Sequence, residues 1–374
     1  MPRFIQPKEL VVKAGGLLRL RYLEGKSIAI FINHSSMENG VVAKIEKYIS
    51  NCNGKVNLYQ VNSCTPVVST VKKIALELKN FAPDCILAVG GGSIIDFAKT
   101  VRLYYEYPDA QFEDVVKPFS IKPFMQNVCF VAIPTTSGSG AEASNCAVVT
   151  IETGAKKTPI VSNEFVPDVV ILDPETTVSL PSNQTVCTAF DAFTHAAESY
   201  CSIAQNDFSS VYSITAGKQI LENLKVVLLN PGDVHARVKL QMAAYMAGVA
   251  QSVTSVGGTH ALAHALESLS GISHGHANAI FLPWVLKRNA RISSRPLEFV
   301  NKVGFRDLDH LHHWMHDMME QTKVYRGWKE SLKDRQVEID VVRLTEFALQ
   351  DRCLRTNPIK LTNEDLREIL ELAQ

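Results

Sequence analysis

The stretch of sequence that decides the fold reads Cys85-Ile86-Leu87-Ala88-Val89-Gly90-Gly91-Gly92-Ser93-Ile94-Ile95-Asp96-Phe97-Ala98-Lys99. A short apolar run leads into three glycines, and a helical pattern begins directly after them. Glycine lets a backbone approach a pyrophosphate, whose charge the amide hydrogens and the positive helix end would meet. The stretch lacks the spacing G-x-G-x-x-G. Two interpretations stay open: a phosphate site to which Ser93 adds a hydroxyl, or a tight turn in which Asp96 complements the helix dipole.

Strand-like and helical patterns alternate on both sides of this turn. Residues 27–32, 55–59, 128–133 and 169–172 are strand-like, and residues 40–49 and 67–80 have helical periodicity. This alternation predicts an α/β domain with a parallel, Rossmann-like, dinucleotide-binding sheet. From about Pro181 the sequence becomes rich in Ala and Leu, and this composition predicts an all-α helical domain. We therefore expect an α/β domain over residues 1–180, a helical domain over 181–374, and ligands in a cleft between them.

Composition limits the classes of function. The 374 residues carry 38 basic and 38 acidic side chains, and no basic tract stands out, so a nucleic-acid or membrane-surface partner is not expected. The first residues lack the apolar core of a signal peptide, which predicts a cytoplasmic protein. The eight cysteines are scattered without a C-x-x-C pair, so we expect buried free thiols rather than disulfides or a zinc knuckle.

One acid and three imidazoles are spaced as ligands of a metal ion. Asp191 and His195 stand four residues apart in a helical pattern, so their side chains share one face. His260 lies in a later helical stretch, and His274 stands beside a glycine. Four oxygen and nitrogen donors without a thiolate suit Fe(II), Zn(II) or Mn(II). Each pair alone is equally well explained by core or capping residues, so the case for a metal rests on all four together.

A second unusual loop follows the next predicted strand. It reads Ile133-Pro134-Thr135-Thr136-Ser137-Gly138-Ser139-Gly140-Ala141-Glu142, in which hydroxyls and small residues offer donors with little bulk. Such a loop suits a flat cofactor ring and its phosphates, or it is a polar loop that caps a helix. Lys157 is placed to reach a ribose or phosphate, although a solvated surface lysine is the usual case.

Together these elements resemble the iron-dependent (group III) alcohol dehydrogenase family. The matching motifs occur in the family's order over nearly the whole chain: Gly90-Gly91-Gly92-Ser93 with Asp96 and Lys99, the loop 134–142, Asp191 with His195 and Glu198, His260 with His264, His274-Gly275 with Asn278-Ala279, and Asn357-Pro358. The resemblance implies reversible hydride transfer between NAD(P)H and an alcohol or aldehyde, with Fe(II) or Zn(II) in the helical domain.

The resemblance also implies roles for individual residues. The metal ligands would be Asp191, His195, His260 and His274, and His264 would line the substrate pocket and relay a proton. The pyrophosphate would lie on Gly91, Gly92 and Ser93. Thr135 and Thr136 would lie near the ribose and nicotinamide, Lys157 would face the cofactor, and Asp96 would either touch the cofactor or order its loop.

Three departures from the family pattern matter. Many NAD-using members carry an aspartate after the first strand, but this chain reads Asn33-His34-Ser35-Ser36 there, which favours NADP(H) with His34 near the 2′-phosphate. The family's usual proline before the last metal histidine is Ser273. Residues 307–334 differ from the common pattern and contain His310, His312, His313 and His316, for which we favour a solvated helix face over a metal site.

We therefore predict a metal-dependent NAD(P)H-linked alcohol dehydrogenase or aldehyde reductase acting as a homodimer. Small linear aldehydes, a diol or an anionic aldehyde such as phosphonoacetaldehyde are open as substrates. Lys287, Arg288 and Arg291 would favour an anion, although an exposed basic turn explains them equally well. Two alternatives remain: a lyase resembling dehydroquinate synthase with NAD and metal, and a non-catalytic scaffold.

Overall fold

The computed structural model describes residues 4–23, 25–38, 40–49, 54–61, 66–152, 157–335 and 337–374. The chain forms two compact units, one built from residues 4–136 and 140–179 and the other from residues 180–374 together with 137–139. The sequence alone assigns residues 137–139 to the first unit. They group with the helices for two reasons. Gly138 packs directly on Thr188, so that a Cβ added to Gly138 would lie 2.8 Å from the Cβ of Thr188. The carbonyl oxygen of Ser139 accepts a 3.0 Å hydrogen bond from the side chain of Gln251.

The first unit contains a six-stranded sheet whose spatial order is β1-β8-β5-β4-β2-β3. Every neighbouring pair in this sheet is parallel, which confirms the predicted α/β fold. A separate antiparallel pair joins β6 to β7. The strands are β1 (Glu9–Val12), β2 (Ile28–Ile32), β3 (Val56–Gln60), β4 (Cys85–Gly90), β5 (Cys129–Pro134), β6 (Cys146–Val149), β7 (Thr158–Val161) and β8 (Val169–Leu172). No strand is predicted from the sequence at β1, β6 or β7.

Burial of both faces of the sheet explains why the sequences of the central strands are continuous apolar runs. Every residue of β2, β4 and β8 is buried, as expected when helices cover both faces of a parallel sheet. The α-helices described in this unit are α1 (His34–Glu38), α2 (Val41–Ile49), α3 (Val68–Phe81), α4 (Gly92–Glu106) and α5 (Phe112–Val115). Short 3₁₀ helices occupy Gly16–Leu23, Asn163–Phe165 and Pro174–Thr176.

All regular secondary structure among the described residues of the second unit is helical, which confirms the prediction for this half. Its α-helices are α6 (Ser182–Cys201), α7 (Asp207–Leu229), α8 (Val234–Thr254), α9 (Gly258–Ser270), α10 (His274–Ala290), α11 (Arg295–Val303), α12 (Leu308–Gln321), α13 (Trp328–Leu332), α14 (Val341–Leu349) and α15 (Asn363–Leu372), with 3₁₀ helices at Lys333–Arg335 and Arg352–Thr356. Side chains of Asn206, Asp233 and Thr362 cap α7, α8 and α15, each cap being worth about 1 kcal/mol.

Helix α6 lies at the centre of the second unit. Fifteen of its side chains, from Thr185 to Cys201, are buried, and it packs on α7, α8, α10, α11 and α12. None of the helices in the described parts of the chain is both long and apolar enough to cross a membrane. The six described cysteines are free thiols, while Cys52 and Cys64 lie outside the described residues.

Candidate active site

Four side chains from three helices converge inside the helical unit. Asp191 and His195 come from α6, His260 from the first turn of α9, and His274 from the first position of α10. Each offers one ligand atom, and these atoms all lie within 4.8 Å of one another. From Asp191 Oδ1 the distances are 4.0 Å to His195 Nδ1, 4.0 Å to His260 Nε2 and 3.5 Å to His274 Nε2. The structure thus brings together all four residues that the sequence proposes as metal ligands.

Close helix packing makes this convergence possible. Asp191 and His195 are one turn apart, so both project from the same face of α6. The start of α10 lies so near α6 that a Cβ on Gly275 would stand 2.3 Å from the carbonyl oxygen of Cys187. Only glycine fits this approach, and it places His274 beside Asp191. Ser273, which replaces the family's usual proline, keeps a proline-compatible φ of −62°.

A buried carboxylate orients one of the four. Glu198 lies one turn beyond His195 on α6 and accepts a 2.6 Å hydrogen bond from His260 Nδ1, together with bonds from the backbone N–H groups of Gly257 and Thr259. Since Nδ1 of His260 carries the proton, Nε2 presents a lone pair toward Asp191. This is the arrangement by which an outer carboxylate fixes the tautomer and orientation of a metal-ligating histidine. Burial raises the pKa of Glu198 to about 7, against the opposing effect of the amide donors.

The donor set fits a divalent cation. Burial lowers the pKa of His195 and, with the neighbouring imidazoles, lowers that of His260 well below its ordinary value, so both rings are neutral. Nδ1 of His195 is buried without a hydrogen-bond partner among the described residues. Asn278 Nδ2 lies 2.8 Å from Asp191 Oδ1, 3.1 Å from His274 Nε2 and 3.4 Å from His260 Nε2. One carboxylate oxygen and two imidazole nitrogens therefore all face the single NH₂ group of Asn278. The cluster has more acceptor lone pairs than donors, which suits a cation.

His264 lies beside this cluster and is held by a different acid. Its ring stacks on that of His274 with centroids 5.1 Å apart, and its Nδ1 is 2.8 Å from Asp351 Oδ2. Burial alone would raise the pKa of Asp351, but the hydrogen bonds from His264 and from the N–H of Cys353 lower it well below its usual range. Asp351 is therefore an anion that fixes the ring of His264, leaving Nε2 for other partners.

The two loops predicted to bind the cofactor meet at one edge of the sheet in the first unit. Gly90 at the end of β4 is in register with Pro134 at the end of β5, and Thr135 N donates to Gly90 O over 3.0 Å. A Cβ on Gly91 would lie 3.4 Å from the side chain of Thr136. Gly92 and Ser93 form the first turn of α4, where helix N–H groups lack intrahelical partners. The structure therefore places Gly91, Gly92, Ser93, Thr135 and Thr136 close together.

Asp96 and Lys99 organise the loop that follows Thr136. Asp96 Oδ2 accepts a 2.9 Å hydrogen bond from the N–H of Val148, and Lys99 Nζ donates to the carbonyl oxygens of Ala141 at 2.6 Å, Ser144 at 2.8 Å and Cys146 at 2.8 Å. Burial raises the pKa of Asp96 to about 6, while the charge of Lys99 opposes that shift. These contacts order the loop, and contact of Asp96 with a cofactor stays a prediction.

The remaining two predicted cofactor residues lie in the same unit, His34 at the same carboxyl edge of the sheet, next to the end of β4, and Lys157 before β7. His34 begins α1 directly after β2, is exposed, and has Nδ1 3.4 Å from Gln60 Nε2. Lys157 precedes β7 and is half-buried, and its charge opposes the rise in the pKa of Asp96 that burial causes. A role in cofactor binding stays a prediction for both.

Glu198, Asn278 and Asp351 are functional candidates that the structure adds to those predicted from the sequence. Glu198 stands seven residues after Asp191 and three after His195, a spacing that places all three on one helix face. Asn278 stands four residues after His274 in the same way. Asp351 had no such signal, because it lies in another segment of the chain, 87 residues from His264.

Comparisons with known proteins show the family. The profile of iron-containing alcohol dehydrogenases matches residues 7–174, and that of the C-terminal part of the Fe-containing alcohol dehydrogenase family matches residues 185–374. An NADPH-dependent butanol dehydrogenase from Clostridium saccharobutylicum is 30% identical over 380 residues, covering 99% of this chain and 97% of that protein.

Two solved structures agree with this result. An iron-containing alcohol dehydrogenase from Thermococcus thioreducens is 27% identical with a TM-score of 0.87, covering 99% of each chain. A sulfoacetaldehyde reductase from Bifidobacterium kashiwanohense, solved with NAD⁺, is 25% identical with a TM-score of 0.86, covering 100% of this chain and 98% of that one. The chain belongs to the iron-containing alcohol dehydrogenase family, as its motifs suggest. It is an oxidoreductase acting on CH–OH groups, which excludes the scaffold alternative.

Proposed function

We propose that this protein reduces small aldehydes with NAD(P)H, and oxidises the corresponding alcohols, with the help of a divalent metal ion held by Asp191, His195, His260 and His274. The observation that carries the proposal is the convergence of these four donors within 4.8 Å. Fe(II) is the ion that the family name supports. Zn(II) suits the same oxygen and nitrogen donors and is the competing assignment.

The protein's own residues prepare the site. Glu198 keeps the proton of His260 on Nδ1, so that Nε2 is a lone-pair donor, and Asn278 hydrogen-bonds Asp191 and restricts its rotation. When bound, a divalent ion here supplies Lewis acidity toward a carbonyl or alkoxide oxygen. The buried surroundings of Asp191, His195 and His260 keep the local dielectric low, which strengthens that interaction.

His264 is the residue proposed to move a proton. Asp351 holds its Nδ1, so Nε2 is the nitrogen available to exchange a proton with substrate or water. The stacking of its ring on His274 places it next to the proposed ligands without requiring it to be one. The alcohol oxygen gains its proton during reduction, and the same path removes it during oxidation.

NADPH is the reductant that we favour. Gly91, Gly92 and Ser93 offer backbone N–H groups at the start of α4 to a pyrophosphate, while Thr135 and Thr136 border the same edge of the sheet. His34 stands after β2 where an acid would repel a 2′-phosphate. The NADPH-dependence of the Clostridium saccharobutylicum butanol dehydrogenase supports this choice.

Short uncharged aldehydes are the proposed substrates. The basic residues that the sequence offered for an anion are already paired, since Lys287 contacts Asp309 at 2.7 Å and Arg288 contacts Asp365 at 2.6 Å. Arg291 likewise pairs with Glu368. Butanal is a suitable first compound because a relative is named as a butanol dehydrogenase. Sulfoacetaldehyde, taken from the name of another relative, tests the anionic alternative.

The testing experiment is an anaerobic screen. Protein reconstituted with Fe(II) or with Zn(II) is mixed with NADPH or NADH and then with butanal, 3-hydroxypropanal or sulfoacetaldehyde, while the nicotinamide absorbance is followed. We expect metal-dependent consumption of NADPH with the uncharged aldehydes, and none with His195→Ala protein. Turnover of sulfoacetaldehyde alone would overturn the substrate class. Equal turnover by metal-free protein would overturn the role of the ion.

A further inference from the structure

Helix α12 (Leu308–Gln321) concentrates imidazoles away from the site described above. It carries four of the chain's eleven histidines, at positions 310, 312, 313 and 316. Two of them are engaged locally: His310 Nδ1 accepts from the N–H of Arg306, and His313 Nδ1 lies 2.6 Å from the carbonyl oxygen of Asp309. Contrary to the solvated face expected from the sequence, His312 and His316 are half-buried and face each other across one helical turn, with their Nε2 atoms 2.9 Å apart.

We propose that His312 and His316 form a second metal site, which takes a divalent cation that prefers imidazole, namely Cu(II) or Ni(II). In the metal-free protein one ring must donate its proton to the other across the 2.9 Å contact, and the cation would replace that shared proton. This site shares no residue with Asp191, His195, His260 and His274, and the proposal does not depend on their function.

The separation of the two nitrogens indicates which ion fits. Two metal–nitrogen bonds of about 2.05 Å meeting at about 90° span about 2.9 Å, whereas the same bonds at a tetrahedral angle span about 3.3 Å. The observed 2.9 Å is the length of an N–H···N hydrogen bond, and adjacent ligands of a square-planar or tetragonal ion fit the same separation without rearrangement. Cu(II) and Ni(II) prefer this geometry, and Cu(II) stands highest among the divalent first-row ions in affinity for nitrogen ligands.

The surroundings keep both rings neutral. Each is half-buried, and Trp284 packs edge-on against His312 with centroids 4.6 Å apart. Burial lowers the pKa of His312 to about 4, with added repulsion from His316, Lys287 and His313. Burial and the charge of Arg326 lower the pKa of His316. A histidine must be deprotonated to bind a metal, so both rings are competent ligands at neutral pH.

Charge and space also permit a cation. Lys287 pairs with Asp309, 2.7 Å away, and its Nζ also lies 3.5 Å from His312 Nδ1. Metal binding at His312 Nε2 would therefore move the ring proton to Nδ1 and leave Asp309 as the partner of Lys287.

His316 lines a cavity of about 250 Å³ together with Arg326 and Glu330, which leaves room for water or a carboxylate oxygen to complete the coordination. Arg326 pairs with Glu320, 3.5 Å away. Hard cations such as Mg²⁺ and Ca²⁺ are not expected here, because they take oxygen ligands.

Calorimetric titration with Ni(II) tests the proposal. Protein first loaded to one Zn(II) per chain is titrated at neutral pH, and its zinc content is measured before and after. We expect one further equivalent of Ni(II) without loss of zinc. His312→Gln and His316→Gln should each weaken that equivalent by about a hundredfold or more, since losing a ligand costs more than losing an outer-shell partner. His313→Gln, on the same helix, should bind Ni(II) as the wild type does.

Three outcomes would overturn the site: no Ni(II) uptake beyond exchange with zinc, an extra equivalent that persists in both ligand variants, or equal weakening by His313→Gln. Electron paramagnetic resonance of one equivalent of Cu(II) on the zinc-loaded wild type does not depend on whether variants fold. Coupling to two imidazole nitrogens would support the pair, and oxygen-only coordination would overturn it. Loss of zinc alone would bear on the proposed active site and not on this one.

Discussion

Glu198 Oε2 lies 2.6 Å from Nδ1 of His260, and both side chains are buried inside the helical unit. The same carboxylate accepts hydrogen bonds from the N–H groups of Gly257 and Thr259. It therefore joins the start of α9 to α6 and sets the tautomer of a proposed metal ligand. Glutamine has the same shape but cannot replace this carboxylate, because its NH₂ group would point at one of the three N–H groups that Glu198 accepts from.

Replacing Glu198 by Gln should therefore weaken metal binding by about ten- to a hundredfold, the usual cost of losing an outer-shell partner. The measurement is metal affinity by competition with a chelator of known strength. Asp173→Asn is the matched control, since Asp173 is a buried carboxylate of the other unit that accepts from Gly15, Leu17 and Glu175. The control should lose stability and keep its metal affinity. Wild-type affinity in Glu198→Gln would contradict the orienting role.

His264→Ala should keep metal and cofactor binding while lowering turnover by roughly a hundredfold or more, the usual scale of general acid–base help. The reason is that the four proposed ligands form a complete set without His264, whose Nδ1 is held by Asp351. Metal content and the separate values of kcat and KM should be measured on the same preparation. Loss of the metal would make His264 a ligand, and unchanged turnover would make it a packing residue.

The cofactor prediction concerns the end of β2. NADPH should be used at least as well as NADH, and His34→Asp should shift the preference toward NADH by at least about tenfold, which corresponds to about 1.4 kcal/mol of transition-state binding. The new carboxylate would accept from the ribose hydroxyls and repel a 2′-phosphate. The check is kcat/KM for both cofactors. A tenfold wild-type preference for NADH would count against the assignment.

Local patterns made much of this architecture predictable. Buried strands such as β4 and β8 appear in the sequence as uninterrupted apolar runs, and the turn after β4 is marked by its glycines. All four proposed ligands carry a local signal, because Asp191 and His195 stand four residues apart, His260 stands four residues before a second histidine, and His274 adjoins a glycine. Strand β1 was missed, because its Glu9-Leu10-Val11-Val12 is short and only partly buried at the sheet edge, where it pairs with β8.

Long-range contacts are what the sequence could not supply. The hydrogen bond between His264 and Asp351 could not be predicted from the residues around either one. It depends on how the segment after α14 packs on α9. Strands β6 and β7 are only four residues each, too short for a clear sequence pattern, and β6 is held by buried groups from α4, with Asp96 accepting from Val148 and Lys99 donating to Cys146. Side chains that join distant segments carry no local periodicity.

Stability should depend on pH through Glu142 in a defined direction. Burial raises the pKa of this carboxyl to about 7, so the folded protein holds its proton more tightly than the unfolded chain. The stabilising effect of the bound proton is full below the unfolded value near 4.5 and is lost as pH rises through about 7. Glu142→Gln, which stays uncharged, should therefore gain on the order of 2 kcal/mol relative to wild type between pH 5 and pH 8.

Urea unfolding of both proteins at the two pH values measures this difference, and comparing variant with wild type cancels the titration of the histidines. Glu113→Gln, at an exposed position of α5, is the control and should show no such change. A difference between Glu142→Gln and wild type that is independent of pH would contradict the assignment.

The most direct test of the proposed active site is an anaerobic titration of metal-free protein with Fe(II), in which bound iron and NADPH consumption with butanal are followed in the same samples. The account predicts that activity rises in proportion to bound iron and stops rising at one ion per chain, and that His260→Ala protein binds almost no iron and stays inactive. Full iron binding and activity in His260→Ala, or activity that is independent of bound iron, would contradict it.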